Sequence, residues 1–309
     1  LQKLTKAKDR MAIERVEMTE MAPEERIKSQ RVEVNVGLTK EQAMLEATRC
    51  MDCVNPTCME GCPVSINIPK FIKNIERGNI LEAASVLKET SALPAVCGRV
   101  CPQEVQCEQR CFYVEKLNLP SVAIGHLERF AADFERESGV ISVPKIAEAN
   151  GIKVAVIGSG PSGLSFAGDM AKLGYDVTVF EALHEIGGVL KYGIPEFRLP
   201  NAVVDVEIEN LRKMGVKFIT NYIVGQTASL DDLREEGYKA FYVGSGAGLP
   251  RFMNIPGENS NGIMSSNEYL TRVNLMGADS EESDTPILRG KNVVVVGGGN
   301  TAMDSVRTA

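Results

Sequence analysis

Eight cysteines fall in two groups within one short part of the chain. The first group comprises Cys50, Cys53, Cys58 and Cys62, which are separated by two, four and three residues. The second group comprises Cys97, Cys101, Cys107 and Cys111, which are separated by three, five and three residues. The first spacing is close to the ferredoxin run that ends in Cys-Pro, in which thiolates hold 4Fe-4S clusters. Eight thiolates would serve two such clusters.

Zinc and purely structural roles compete with iron for these cysteines. Zinc is also held by thiolates, and the Cys-x2-Cys pair at Cys50 and Cys53 alone would favour it. Structural thiols without a metal are the third possibility. Neither group repeats the short paired knuckles of zinc ribbons, and the Cys-Pro sequences at Cys62 and Cys101 are typical of ferredoxins. The spacing therefore favours iron–sulfur clusters over both alternatives.

A glycine-rich turn between Lys153 and Glu181 predicts a dinucleotide site. The apolar run 154–157 predicts a buried strand, and the helical pattern 162–173 ends at Gly174, where a left-handed C-cap belongs. Between them lie Gly158, Ser159, Gly160, Pro161, Ser162 and Gly163. This GxGxxG spacing permits a tight turn, close approach of a pyrophosphate and close helix packing. Glu181, which ends the second predicted strand, would accept hydrogen bonds from a ribose hydroxyl, and a plain glycine turn is the alternative.

Two later segments are also rich in glycine. Gly187 and Gly188 open the stretch 186–200, which is too irregular for an ordinary helix, and they would let the backbone lie against a flat ring. The alternative is a crossover loop. The predicted buried strand 240–243 runs into Gly244 and Gly246, which would suit a close approach to a cofactor or simply a tight turn.

The carboxyl end of the sequence predicts a second dinucleotide site. Residues 291–296 predict a strand, and the alternative GxGxxA fingerprint follows as Gly297, Gly298, Gly299, Asn300, Thr301 and Ala302. The sequence ends at Ala309 inside the helix of this unit, before the strand that would carry the ribose or 2'-phosphate contact. We therefore expect it to be part of a longer protein.

Composition excludes several classes of function. The 309 residues include 34 Lys and Arg against 41 Asp and Glu, for a net charge of -7 with no basic stripe, which argues against nucleic acid as a partner. No apolar run approaches a membrane span and the first residues have no signal-peptide core, so we expect a cytoplasmic protein. The two histidines provide no Ser-His-Asp arrangement, and no catalytic proton-transfer residue is assigned.

Helices must position the cysteines. Thr39 and Gln42 predict a capping box that opens a helix leading to Cys50. Another helix is predicted over 120–138 and ends at Gly139. Glu128 lies beside the apolar stripe of that helix, and its residue type and position alone favour a solvated helix charge.

These motifs together resemble the small subunit of NADPH-dependent glutamate synthase and its relatives. The relatives are the large subunit of NADH-dependent ferredoxin:NADP oxidoreductase, the sulfide dehydrogenase alpha subunit and the N-terminal half of dihydropyrimidine dehydrogenase. The segments that carry the resemblance are 50–64, 97–111, 123–133, 154–164, 185–200 and 293–304. It implies an α/β fold in which a helical domain with two iron–sulfur clusters precedes a Rossmann-like FAD domain and the start of a nested NAD(P)-binding domain.

The resemblance also implies which residues hold the cofactors. One 4Fe-4S cluster would take Cys50, Cys53, Cys58 and Cys111, and the other would take Cys62, Cys101, Cys107 and Glu128. This assignment replaces the solvated role of Glu128 and leaves Cys97 without a ligand role. FAD would contact three parts of the chain. These are the first glycine turn with Glu181, the segment with Gly187, Gly188, Val189, Leu190 and Arg198, and the glycines Gly244 and Gly246. Residues 297–302 would bind NADP or NAD.

The implied organisation is an arm over 1–38, a two-cluster domain over 39–150, an FAD domain over 151–288 and the start of the NAD(P) domain over 289–309.

Electrons would pass between NAD(P)H, FAD and the clusters to a larger glutamate synthase-type subunit or a ferredoxin-linked flavoprotein subunit. A flavin is required because a nicotinamide gives two electrons as hydride and a cluster accepts one at a time. The alternative from another class is an electron-wiring module without its own nicotinamide reaction.

Overall fold

The computed structural model of the protein describes residues 5–309. The helices are α1 (Ala7–Met11), α2 (Pro23–Arg26), α3 (Lys40–Thr48), α4 (Thr57–Glu60), α5 (Ile68–Glu76), α6 (Ile80–Lys88), α7 (Pro94–Val100), α8 (Phe112–Leu117), α9 (Ile124–Ser138), α10 (Pro161–Lys172), α11 (Val189–Tyr192), α12 (Asn201–Lys213), α13 (Leu230–Glu235), α14 (Ser266–Asn274) and α15 (Asn300–Thr308). The strands are β1 (Thr19–Glu20), β2 (Asn35–Gly37), β3 (Lys153–Ile157), β4 (Asp176–Phe180), β5 (Lys217–Ile219) and β6 (Tyr238–Val243).

The described residues form two compact units. The first comprises 5–23, 34–147 and 209–214, and the second comprises 24–33, 148–208 and 215–309. Within 5–309, no helix combines the length and the apolar character that a membrane crossing requires.

The first unit is a helical assembly around one apolar core. The predicted capping box is confirmed: the Gln42 amide donates to the Thr39 hydroxyl over 3.2 Å, and the Thr39 amide donates to Gln42 Oε1 over 2.9 Å. Helices α3, α5, α6 and α9 contribute the buried core side chains, which include Ala43, Phe71, Ile72, Ile75, Leu87, Leu127 and Ala131. Each large aliphatic or aromatic residue buried there contributes about 1.5–3 kcal/mol.

Helix α9 begins later than the sequence pattern predicts. It starts at Ile124 rather than at residue 120, because buried charges hold the preceding backbone in an extended form. Glu46 Oε1 accepts the Ala123 amide over 2.8 Å, and the Arg49 guanidinium donates to the carbonyls of Pro120 and Ser121 over 2.7 and 2.8 Å. Gly139 ends the helix in the left-handed conformation, as predicted.

The second unit contains a four-stranded parallel sheet in the order β5-β4-β3-β6. Val156 of β3 lies opposite Val179 of β4 on one side and Tyr242 of β6 on the other. Numbered along the chain within this unit, the strands lie side by side in the order 3-2-1-4. This is the order at the centre of a dinucleotide-binding fold. Gly174 follows α10 with a φ of 83°, as the helix-stop signal predicts. This architecture confirms the predicted α/β class.

The predicted strand over residues 291–296 is wrong. The segment precedes α15 but forms no strand, and Val294 and Val296 are 87% and 69% exposed. A strand exists only where its backbone groups pair with a neighbouring strand. Among the described residues, no segment pairs with 291–296, so its apolar pattern has no sheet to join.

Candidate functional site: two cysteine clusters and a dinucleotide turn

Four cysteines line one cavity in the first unit. They are Cys50, Cys53, Cys58 and Cys111, and the cavity has a volume of about 30 Å³. The rest of its wall is mainly apolar and includes Ile68, Ile72, Val122 and Ile124. No three histidine, cysteine or acidic side chains among residues 5–309 converge on the position of one metal ion. The four thiols line a common cavity.

Short helices position these thiols. Helix α3 ends at Thr48 and delivers Cys50, whereas α4 carries Cys58. Cys111 is the N-cap residue of α8. The Thr57 hydroxyl donates to the Arg110 carbonyl over 2.5 Å, which ties the α4 segment to the residue before Cys111. Cysteines from distant parts of the sequence are joined in this way.

Burial keeps the thiols of Cys50 and Cys58 protonated in the absence of a cation. It raises the pKa of Cys50 and of Cys58 to about 12, and the neighbouring cysteines add to the effect. A coordinated metal deprotonates such a thiol outright, because the cation replaces the lost solvation of the thiolate. Four thiols in an apolar cavity fit an iron–sulfur cluster by donor chemistry and by environment.

A second group of acidic and thiol side chains gathers around Cys107. Burial raises the pKa of its thiol strongly, and the charges of Glu108, Glu128 and Cys62 raise it further, so these groups are neighbours. A hydrogen bond from Cys97 lowers the pKa of Cys101 to about 7. Cys97 thus belongs to this group, because it lies beside Glu128 and forms a hydrogen bond with Cys101, contacts that the sequence spacing does not reveal.

Glu128 is buried, with 6% of its surface exposed, so the solvated helix charge favoured by its sequence position alone is contradicted. Close packing between α7 and α9 explains this location. A Cβ atom on Gly98 would lie 2.5 Å from the Arg129 amide nitrogen, so only glycine permits this approach. The contact brings Glu128 of α9 beside Cys97 of α7.

The glycine turn after β3 has the geometry that its spacing predicts. Gly158 has a φ of 100°, and a Cβ atom there would lie 2.5 Å from the Gly244 oxygen. A Cβ atom on Gly163 would lie 2.0 Å from the Gly158 oxygen, which enforces close packing of α10 on the turn. Gly160, by contrast, faces open space within 4 Å of its missing side chain. That open backbone is where a pyrophosphate would approach the helix N-terminus.

Glu181 lies at the centre of this turn. Its Oε2 atom accepts the Ser159 amide and hydroxyl over 2.8 and 2.5 Å, and its Oε1 atom accepts the Leu183 amide over 2.9 Å. A carboxylate offers about four acceptor sites, so these bonds leave one for a ribose hydroxyl. The structure therefore places the predicted acid at the turn and gives it an additional role in shaping the loop.

The Gly187–Gly188 pair lies directly against the first turn. The Gly187 amide donates to the Ser159 hydroxyl over 3.0 Å, and a Cβ atom on Gly188 would lie 2.7 Å from the Gly160 Cα atom. The residues that follow form a single helical turn, α11, and residues 193–200 then form turns and bends, so the stretch contains no ordinary long helix, as predicted. Leu190 of α11 is buried, whereas Val189 is exposed.

Arg198 forms an ion pair with Asp304. Its Nη1 atom lies 2.6 Å from Oδ2 of the buried Asp304 of α15. Arg307 of the same helix lies over the Phe197 ring, 4.5 Å from the centroid. The cofactor contact of Arg198 stays a prediction, and the structure adds an ion pair with Asp304 that the sequence does not reveal.

The second glycine run is arranged around the start of α15. Gly297 has a φ of 135° and a Cβ atom there would lie 3.1 Å from the Ala302 methyl group, whereas Gly298 and Gly299 face open space. Gly299 is the N-cap residue, and Asn300 and Thr301 begin the helix.

Tyr242 joins the first turn without having been singled out by the sequence pattern. Its hydroxyl lies 2.5 Å from the Ser162 hydroxyl, and its ring stacks on Phe166 at 4.1 Å. Its position in β6, two residues before Gly244, is a signal that could have identified it. Gly246 follows with a φ of 72° and open space around it.

Two protein families match the chain. Residues 26–140 match dihydropyrimidine dehydrogenase domain II, 4Fe-4S cluster, and residues 152–308 match pyridine nucleotide-disulphide oxidoreductase. These matches confirm the predicted cofactor types, which are 4Fe-4S clusters, FAD and a nicotinamide nucleotide.

Individual curated proteins are similar to most of this chain in sequence. The glutamate synthase [NADPH] small chain of Azospirillum brasilense is 37% identical over 90% of this chain and 58% of its own length. The NAD-dependent dihydropyrimidine dehydrogenase subunit PreT of Escherichia coli is 37% identical over 89% of this chain and 64% of its own. Among solved structures, Mycobacterium tuberculosis FprA in complex with NADPH is 26% identical, covers 51% of this chain and 36% of that chain, and has a TM-score of 0.44. The chain thus spans about 60% of the length of these two sequence relatives.

Proposed function

Because this chain belongs to the pyridine nucleotide-disulphide oxidoreductase family and carries a 4Fe-4S domain before that part, we propose that it is an electron-transfer flavoprotein of the glutamate synthase small-subunit type. It passes electrons between NAD(P)H, FAD and two 4Fe-4S clusters, and on to a partner subunit or domain. The observation that carries this function is the apolar cavity lined by four thiols.

Cys50, Cys53, Cys58 and Cys111 hold the first cluster in this proposal. Their shared cavity is lined mainly by apolar side chains, so a bound cluster would supply most of the positive charge inside the cavity itself. The second cluster is held by Cys62, Cys101, Cys107 and Glu128. The support for this set is the burial of Glu128 and its proximity to Cys107. Cys97 donates a hydrogen bond to Cys101 rather than serving as a ligand.

The β3–α10 turn holds FAD. When bound, FAD supplies the exchange between the two-electron hydride chemistry of a nicotinamide and the one-electron chemistry of an iron–sulfur cluster. Gly160 presents bare backbone to the pyrophosphate, Glu181 accepts a ribose hydroxyl, and Gly187 and Gly188 offer backbone to the ring system. Residues 297–302 provide the corresponding turn for NADP or NAD.

The partner we propose is a larger glutamate synthase-type subunit, because the relative from Azospirillum brasilense is a small chain. The sequence resemblance also supports a ferredoxin-linked flavoprotein subunit as the partner. We place this exchange in the cytoplasm, where thiols remain reduced and available to iron.

A specific observation favours a second candidate. Residues 26–140 match a dihydropyrimidine dehydrogenase domain, and the PreT subunit is as similar to this chain as the glutamate synthase chain is. In the second candidate, the same cofactors deliver electrons to a subunit that reduces a pyrimidine. Copurification of the partner separates the two: glutamine-dependent NADPH oxidation supports glutamate synthase, and uracil-dependent NADH oxidation supports the pyrimidine enzyme.

The primary test is anaerobic purification followed by iron, sulfide and flavin analysis. The proposal predicts iron and sulfide equivalent to two 4Fe-4S clusters, one FAD, and bleaching of the flavin band when NADPH or NADH is added. Clusters and flavin without bleaching would support the electron-wiring module instead. A colourless, zinc-loaded protein would overturn both.

A further inference from the structure

The amino-terminal segment carries a buried arginine against the first cysteine site. The Arg10 side chain of α1 is 1% exposed, although it belongs to a stretch to which sequence patterns assign no chemistry. Its Nη1 atom donates to the carbonyls of Thr48 and Cys50 over 2.5 and 2.9 Å. Arg10 therefore holds the backbone of a cavity cysteine directly.

A second cation lies close by. Lys73 of α5 is 4% exposed and its neighbour Ile72 lines the cavity. Its Nζ atom lies 2.9 Å from Glu76 Oε2, and Arg10 Nη2 lies 2.6 Å from Glu76 Oε1. The charge of Lys73 also reaches the Cys50 thiol: burial raises the pKa of this thiol, and the positive charge of Lys73 acts in the opposite direction. Two buried cations thus share one buried carboxylate.

Arg10, Lys73 and Glu76 together carry a formal net charge of +1. Asp52 lies 3.8 Å from Lys73 but is 31% exposed, so solvent screens it more than the other three. Buried charges act over several ångströms because the surrounding dielectric is low. An uncompensated cation beside a cluster favours the reduced state, which carries one more negative charge than the oxidised state.

We propose that Arg10 is a positioning residue of the first cluster site, and that with Lys73 and Glu76 it sets the reduction potential of the cluster held by Cys50, Cys53, Cys58 and Cys111. This inference rests on the proposed function. It assigns residues 5–11 to the cluster machinery rather than to a surface arm.

Tyr113 fixes the arrangement from the other side. Its hydroxyl donates to the Arg10 carbonyl over 3.1 Å and to the Arg49 carbonyl over 2.9 Å, and its side chain also lines the cavity. Arg49 in turn donates to the Ile13 carbonyl over 3.1 Å. The segment around Arg10 is therefore anchored by backbone contacts as well as by charge, so a change at Arg10 need not release it.

The test is a pair of substitutions with opposite electrostatic signs. Arg10→Gln removes a cation, so the midpoint potential of one cluster should become more negative. Glu76→Gln removes the shared anion and leaves both cations, so the same potential should become more positive. Lys8→Gln is the matched control, because Lys8 is exposed on the same helix. The measurement is an anaerobic redox titration followed by EPR, with iron content and circular dichroism recorded for each variant.

Opposite shifts in one cluster, with the other unmoved, support the proposal, and a purely structural role would not reverse the sign. Arg10→Lys should restore most of the potential because it keeps the charge. Unchanged potentials at full iron content, or shifts of the same sign, overturn the inference while leaving the proposed function intact. If one variant fails to fold, the sign of the other still decides. Wild-type protein without clusters would instead overturn the proposed function.

Discussion

Cys58 and Cys97 are both partly buried, yet the structure gives them different surroundings. Cys58 lines the four-thiol cavity, whereas Cys97 donates a hydrogen bond to Cys101. Cys58→Ser should remove about half of the bound iron, because one of two clusters loses a ligand. Cys97→Ser should keep the iron, because a hydroxyl preserves the donor. Iron analysis of the two variants measures this directly, and equal losses would contradict the assignment of Cys97.

Glu128 is buried in the structure, although its position in the sequence alone favours a solvated helix charge. Glu128→Ala should lower the occupancy or shift the potential of the second cluster, because it removes the buried carboxylate that we propose as a ligand. Glu137→Ala is the matched control, since Glu137 lies on the same helix with a 73% exposed side chain. EPR spectra and iron content are the measurements. An unchanged spectrum in the Glu128 variant would count against its role as a ligand.

At the scale of elements, the β3–α10 turn separates glycines needed for folding from one needed for binding. Gly163→Ala should destabilise the protein by about 1–3 kcal/mol, because the new methyl group would overlap the Gly158 carbonyl. Gly160→Ala should change stability by less than about 0.5 kcal/mol, because its side-chain direction is open.

Gly160→Ala should also lower the affinity of the protein for FAD. Gly160→Ala should weaken FAD binding roughly 10-fold or more, because a methyl group would occupy the pyrophosphate path, a change of about 1.4 kcal/mol or more. Denaturant unfolding of the apoprotein and flavin titration measure the two effects separately. A stable Gly163 variant, or a Gly160 variant with normal FAD affinity, would contradict this division of roles.

Local signals predict most elements well because the interactions that define them span few residues. The capping box at Thr39 and the helix stop at Gly139 are confirmed. The late start of α9 depends on Glu46 and Arg49, which are far from residues 120–123 in the sequence, so periodicity could not reveal it. Apolar residues alone predict the strand at 291–296, but a strand also needs a pairing partner.

The grouping of Cys111 with Cys50, Cys53 and Cys58 also lies beyond spacing arguments. Spacing describes each cysteine group separately, whereas the cavity combines members of both. Family resemblance supplies this grouping as an expectation. The contact of Arg10 with the Cys50 carbonyl has no sequence signal, because an isolated arginine in a charged segment has the pattern of a solvated residue.

At the scale of the whole molecule, the two compact units have separate apolar cores. The first core surrounds the four-thiol cavity, and a smaller one in the second unit includes Ala155, Phe180 and Leu233. The proposed iron–sulfur clusters therefore lie in the first unit, whereas the proposed FAD and nicotinamide turns both lie in the second. Since a ligand stabilises only the state that binds it, iron and FAD should stabilise different parts of the chain.

Removing iron tests this separation. Chelation under reducing, anaerobic conditions should lower the thermal midpoint of the first unit by several degrees, because the thiolates lose the metal that offsets their burial. The flavin-linked transition should move by less. Scanning calorimetry with and without the chelator records both transitions, flavin fluorescence identifies the second, and rebuilding the clusters with iron and sulfide should restore the first. If chelation shifted both transitions equally, the two units would unfold as one cooperative body and the stabilising effect of iron would extend to the flavin site.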